Sequence, residues 1–335
     1  EPTRGPGTIR IVDGIIESIT ADEAANSSAG RARDTLAMPA LGNGHDHGRG
    51  VKFLSFGLKD DTLEAWVPAF YARPDVDPYL NAALIMARFA RSGIASAVHC
   101  HTMPKGDDFE TEIAAVVKAA HDVGIRIGLV VPMRDRNRFC YGEDEGLLSL
   151  LNPDDRVEVA RSWGYSFLPA KEQVARAEYL GNKYDSGLVQ IQFGPIGVQW
   201  ASDELLELVA EASARTGRRV HMHFLESRYQ REWMDVAYPS GVVSFLDQIG
   251  LLSPRLTVAH GVWLKPDELD VLAARDVIVS LNTSSNLRLG SGIAPARDMI
   301  ARGVPVALGL DGLALDDDDD ALRSGQRLCA EGNVA

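Results

Sequence analysis

The sequence predicts a (β/α)8 TIM-type barrel preceded by a small β-hairpin. Three observations predict it. From about residue 36 onward, eight short apolar runs alternate with amphipathic stretches, the pattern that eight βα units require. Several of those stretches close on a glycine that ends a helix readily, at Gly93, Gly124, Gly217 and Gly303. Seven of the eight histidines fall at the carboxyl ends of the runs, and a barrel gathers its strand ends on one face.

The hairpin comes first. Thr8–Val12 and Ile15–Ile19 flank Asp13-Gly14, a strong two-residue turn signal. Residues 20–34 are rich in Ala, Ser, Asp, Glu and Arg and read as a loop. The eight runs follow: Leu36–Leu41, Ile94–Cys100, Ile125–Val131, Leu188–Phe193, Arg219–Phe224, Leu256–Ala259, Val277–Leu281 and Val304–Leu308. Helical periodicity marks Tyr79–Ser92, Phe109–Val123, Ala170–Lys183, Ser202–Thr216, Pro266–Arg275 and Ala294–Arg302. An open doubly wound sheet alternates in the same way, but no GxGxxG or P-loop follows a strand here. The expected domains are residues 1–35 for the hairpin unit and 36–335 for the barrel.

Composition narrows the function classes. In 335 residues, 47 acids against 34 bases leave a net charge of −13, which argues against a nonspecific grip on nucleic acid or an anionic membrane. No apolar run approaches the roughly 18 residues that span a bilayer. Glu1–Arg10 lacks the pattern of a secretory leader. Cys100, Cys140 and Cys329 are too few and too scattered for a disulfide framework or a CxxC site, so reduced thiols and a cytoplasmic location are expected. The acids at 316–320 read as a solvated loop.

The histidines carry the chemistry. His45, His47, His99, His101, His221, His223 and His260 end the first, second, fifth and sixth runs, whereas His121 lies in a helical pattern. His45 and His47 share a strand face, about 7 Å apart by strand rise, and can reach one divalent ion. His223 ends the fifth run with Glu226 three residues on, His260 ends the sixth, and Asp311 follows the eighth. His221 shares the face of His223 and is expected in a lower packing layer. Met222, between them, should face the helices.

These elements resemble the metal-dependent amidohydrolase superfamily, in particular the branch of cytosine and guanine deaminases and s-triazine chlorohydrolases. The matching text is Met38-Pro39-Ala40-Leu41 leading into His45-Asp46-His47, then His223-Phe224-Leu225-Glu226, then Ala259-His260-Gly261 with Trp263-Leu264. It ends with Ser284-Ser285-Asn286-Leu287 and Gly309-Leu310-Asp311-Gly312, so the likeness runs from about residue 8 to 325. The resemblance implies that His45, His47, His223 and Asp311 ligate one metal. It implies that His260 touches the attacking water or the oxyanion, and that Glu226 shuttles a proton to a ring nitrogen. The family's binuclear members use a lysine on the fourth strand. Val189–Pro195 has none, so one ion is expected. Zinc suits the donors, and iron, cobalt or nickel suit them nearly as well. The family builds a small β-sandwich from both chain ends. The hairpin is its N-terminal part, and matching strands after the barrel are not found in this sequence. The family commonly has Pro where Thr283 stands, a departure that touches the loop and not the metal site.

The chemistry agrees with that reading. Asp311 can take a proton from water activated at a divalent ion, Glu226 can protonate the ring as general acid, and His260 can stabilise the tetrahedral centre, with ammonia leaving. The expected activity is deamination of an amino-substituted nitrogen heterocycle: purine, pyrimidine, pterin or triazine. Alternatives are a chlorohydrolase or alkylaminohydrolase acting on an s-triazine, or a cyclic amide hydrolase. Candidate substrate contacts are Gln199 and Trp200 after the fourth run, Arg134 and Arg136 after the third, His101 after the second, and Asn282 after the seventh. The partner is a small molecule, and a homodimer is compatible with the sequence.

Overall fold

The computed structural model describes residues 7–21, 37–71, 74–102, 109–138, 141–142, 144–163, 167–312 and 321–322. The acidic run at 316–320, Cys140, Cys329 and the loop after residue 21 lie outside them. Two compact units divide at Pro39/Ala40.

In the first unit, β1 (Gly7–Val12) and β2 (Ile15–Ala21) pair antiparallel. Asp13 and Gly14 both take positive φ, 49° and 77°, the combination a tight primed turn demands. Ile11 and Ile15 are exposed, at 63% and 71%.

The second unit is the barrel. Its parallel strands are β3 (Leu41–Asp46), β4 (Ile94–Cys100), β5 (Arg126–Met133), β6 (Val189–Pro195), β7 (Val220–Phe224), β8 (Leu256–His260), β9 (Ile278–Leu281) and β10 (Val306–Leu308). They lie side by side in sequence order. Closure between β10 and β3 is made by polar atoms. The Asp311 backbone N–H donates to His45 O at 3.0 Å, and the Leu310 N–H donates to Asn43 Oδ1 at 3.0 Å. Gly44 is required at this seam, because a Cβ there would come within 2.9 Å of the Ala307 Cβ.

The first barrel strand corrects an expectation. Of the apolar run at 36–41, residues 37–40 lie outside the strand, which begins only at Leu41. The strand is Leu41–Asp46, written in Gly, Asn, His and Asp. Hydropathy misses it because its buried positions, Asn43, His45 and Asp46, are polar and answer to the seam and to neighbouring polar side chains. Pro39, which lacks an N–H, sits just ahead of it.

The helices are α1 (Leu63–Tyr71), α2 (Pro78–Arg91), α3 (Phe109–Val123), α4 (Asp144–Leu148), α5 (Pro153–Trp163), α6 (Ala170–Tyr184), α7 (Asp203–Thr216), α8 (Arg228–Ala237), α9 (Val242–Gln248), α10 (Pro266–Ala274), α11 (Thr283–Arg288) and α12 (Ala296–Ala301). Side-chain caps start several of them. Asp77 accepts from Leu80 N, Ser202 from Leu205 N and Ser227 from Gln230 N. Thr283 is the first residue of α11, a position that also suits proline, so the departure from the family pattern leaves the helix start intact. The main core includes Ile85, Phe89, Phe193, Met222 and Phe224 from the barrel strands and α2. A second apolar cluster, Phe53, Leu63, Trp66, Phe70 and Leu289, gathers around α1. Among the described residues, no helix is long and apolar enough to cross a membrane.

Candidate metal centre

Four side chains, from β3 and the residue just past it, from β7, and from the turn after β10, meet at the carboxyl ends of the strands. His45 Nε2 lies 3.1 Å from Asp311 Oδ1, and His47 Nε2 lies 3.4 Å from the same oxygen. His47 Nε2 faces His223 Nε2 at 3.1 Å. Asp46, on the opposite side of the strand, holds the turn instead: it accepts from Gly48 N at 2.7 Å and Asn43 Nδ2 at 3.0 Å.

The donor set fits a cation. His47 Nδ1 faces the Cys100 carbonyl at 3.2 Å, and His223 Nδ1 faces the Ile196 carbonyl at 2.8 Å. A carbonyl only accepts, so each Nδ1 carries the proton and each Nε2 presents a lone pair. Two lone pairs and a carboxylate aimed at one point repel unless a positive ion lies between them. Nitrogen–oxygen and nitrogen–nitrogen gaps of 3.1–3.4 Å match the edges of a tetrahedron with ligand bonds near 2.1 Å. Protonation favours the same reading. Burial pushes the pKa of His45 down and those of His47 and His223 well down. Burial alone would raise Asp311, but His45, His260 and His47 hold it well below the usual carboxylate range. Neutral imidazoles and an ionised carboxylate are the forms that bind metal.

Around this point the backbone is strained. Leu225, His260 and Asp311 all have positive φ, at 50°, 76° and 61°. His260 Nδ1 donates to Asn286 Oδ1 at 2.8 Å, which aims Nε2 between Glu226 Oε2 (3.6 Å) and Asp311 Oδ2 (3.9 Å). Glu226 is buried, and desolvation lifts its pKa to about 7. Its backbone N–H donates to Gln230 Oε1 at 2.8 Å.

The mouth cavity is lined by His47, His223, Glu226, His260 and Asp311 at its floor and by Leu63, Trp66, Val67, Phe70 and Leu289 along one wall. Of the expected substrate contacts, His101, Arg134 and Trp200 line it, while Gln199, Arg136 and Asn282 do not. His101 Nε2 pairs with Glu112 at 3.1 Å. The guanidinium of Arg134 reaches the carbonyls of Arg136, Asn137 and Arg138 and stacks near Trp200. Arg136 donates to Val198 O and Tyr238 Oη. Gln199 is fully buried, and the Asn282 amide lies 3.3 Å from the His260 ring nitrogens.

Sequence reasoning missed two groups. The apolar wall on α1 could have been found from the spacing Leu63, Trp66, Val67, Phe70, a helical stripe. The bracket behind Glu226 had no sequence signal. In it, Glu64 accepts from Tyr141 Oη (3.0 Å) and from Ser227 Oγ, while Gln230 Nε2 donates to Tyr141 Oη (3.3 Å).

The fold and this cluster define a (β/α)8 barrel with a candidate metal centre at its carboxyl face. The chain belongs to the amidohydrolase family, whose model matches residues 36–334. The resemblance drawn from the motifs therefore holds at the level of the family. The chain is 31% identical over 322 residues to 5'-deoxyadenosine deaminase of Methanosarcina mazei, covering 94% of this chain and 66% of that protein. It is 30% identical over 324 residues to 5-methylthioadenosine/S-adenosylhomocysteine deaminase of Pyrococcus furiosus, covering 94% and 68%. It thus spans about two thirds of the length of these relatives. Among solved structures it is similar in fold to atrazine chlorohydrolase from Arthrobacter aurescens TC1 complexed with zinc. The TM-score is 0.73 at 23% identity, over 95% of this chain and 68% of that one.

Proposed function

We propose that the protein is a metal-dependent aminohydrolase that removes an exocyclic amino group from a nitrogen heterocycle. Adenosine-like compounds are the first substrates to test, because the deaminases it resembles at 30–31% identity are named for them. The observation that carries the reading is a buried carboxyl poised near neutral pH, Glu226, 3.6 Å from His260 and beside the His45, His47, His223 and Asp311 cluster.

His45, His47, His223 and Asp311 would hold a divalent cation, zinc being the first choice for this donor set, and it would supply activation of water by lowering its pKa to about 7. The residues then divide the work. Asp311 turns Oδ1 to His45 and His47 and Oδ2 towards His260, so Oδ2 accepts the proton of the attacking water. Asp311 hands that proton to the amino nitrogen, which leaves as ammonia as the C–N bond breaks, while the proton of the new hydroxyl passes to Glu226 as the carbonyl forms. Glu226 holds a proton near neutrality and delivers it to the ring nitrogen. His260, aimed by Asn286, stabilises the charge that develops on the attacking oxygen. The apolar wall from α1 covers the heterocycle and excludes water. The buried free thiol of Cys100 supports a cytoplasmic location.

The test is ammonia release by zinc-loaded protein across adenosine, 5'-deoxyadenosine, guanine, a pterin and aminated triazines. Turnover of at least one with stoichiometric ammonia is expected. Release of chloride or alkylamine from triazines alone, or no release from protein with bound metal, would overturn the reading.

A further inference from the structure

Each of the three histidines in the cluster needs its second ring nitrogen anchored, and the anchors are not alike. His47 and His223 use backbone carbonyls, of Cys100 and Ile196. His45 uses a side chain. Its Nδ1 lies 2.8 Å from His221 Nε2 and 3.4 Å from Cys100 Sγ, a longer contact to a weaker acceptor. The two rings are nearly coplanar, at 10°, with centroids 5.0 Å apart. With nitrogens that close and centroids that far, the rings meet edge to edge through a hydrogen bond. His45 offers Nε2 to the shared point, so its proton sits on Nδ1 and is donated to His221 Nε2. His221 then carries its own proton on Nδ1. That atom is buried and has no hydrogen-bond partner among the described residues.

A buried N–H without an acceptor is costly, and an apolar side chain would fill the same space without that cost. The imidazole is therefore retained for what its other nitrogen does. We propose that His221 is a positioning residue. It fixes the tautomer and ring plane of His45 and thereby sets the affinity of the cation site. Partners of this kind are usually carboxylates or carbonyls. A neutral imidazole aligns the ring without adding negative charge, leaving Asp311 as the anion among the four residues of the cluster. The inference rests on reading that cluster as a metal centre and is independent of the substrate.

The experiment is zinc competition against a chromophoric chelator, using full-length protein stripped of metal. His221→Phe fills the space without an acceptor, and His221→Gln keeps an acceptor oxygen. His221→Phe should bind zinc about 10–100-fold more weakly than the parent. His221→Gln should recover most of that loss, and thermal melts without metal should show both variants folded. If His221→Phe does not fold, His221→Asn replaces it, since its shorter side chain withdraws the acceptor without adding bulk. A folded His221→Phe with parental affinity would overturn the proposal, as would a His221→Gln as weak as His221→Phe. A parent chain without zinc affinity would overturn the metal-centre reading itself, and this inference with it. Absence of deamination with zinc bound would touch only the proposed reaction.

Discussion

Adjacent strands of this barrel carry the same three-residue pattern, with different outcomes. His45 on β3 and His47 just past its end converge on His223 and Asp311. His99 on β4 and His101 just past its end do not join that cluster. His99 packs against Gly48, where a Cβ would sit 1.9 Å from its ring, and burial takes its pKa down to about 3. His101 pairs with Glu112 on α3. The first pair fits a cation because a third imidazole and Asp311 converge on it, with each ring anchored from behind; the second pair lacks that convergence among the described residues.

The sharpest way to break that contrast is to truncate one member of each pair. His47→Ala should weaken zinc binding by more than the roughly 10–100-fold expected for loss of an outer partner, whereas His99→Leu should leave the affinity within a few-fold of parental. Equal losses in the same titration would mean the two pairs do the same job. Next in size, Glu226→Gln should lower kcat/KM about 10²–10⁴-fold with metal still bound. In the parent, kcat/KM should fall as pH rises through about 7, because the general acid then loses its proton. The glutamine variant should lack that limb, and a persistent limb would assign it to another group.

A smaller effect separates the pairs by stability. His99 has a folded pKa near 3, below the unfolded value of about 6.5, so the unfolded chain binds the extra proton and stability falls as pH drops below 6.5. Between pH 7 and pH 5 the parent should lose about 2 kcal/mol more than His99→Leu does in denaturant titrations. Parallel pH profiles would show that His99 is not held neutral. Smallest of all, His101→Gln should change KM by no more than a few-fold, since its polar edge is engaged by Glu112. A loss beyond about tenfold, roughly 1.4 kcal/mol, would make it a substrate contact.

Much of this was legible in the chain. Runs such as Arg219–Phe224 coincide with strands because nearly every residue of Val220–Phe224 is buried, and Asp311 stands out as a carboxylate after an apolar run. What escaped was set by tertiary contact. β3 was misplaced because its residues answer to the seam and the cluster rather than to an apolar layer. The anchors of His47 and His223 are carbonyls, which every residue possesses, so no side-chain pattern betrays them. The bracket of Glu64, Tyr141, Ser227 and Gln230 joins three segments far apart in sequence through single hydrogen bonds.

Those two carbonyl anchors have an evolutionary corollary. Cys100 and Ile196 both line the mouth cavity, yet each holds its histidine through the main chain. The Ile196 side chain can therefore be exchanged as mutations accumulate, reshaping the chamber while His223 stays where it is, whereas the Cys100 Sγ lies 3.4 Å from His45 Nδ1 and is tied to the cluster. At Ile196 a change in chamber shape is uncoupled from the geometry of the candidate metal centre, which is one physical route by which a single scaffold diversifies.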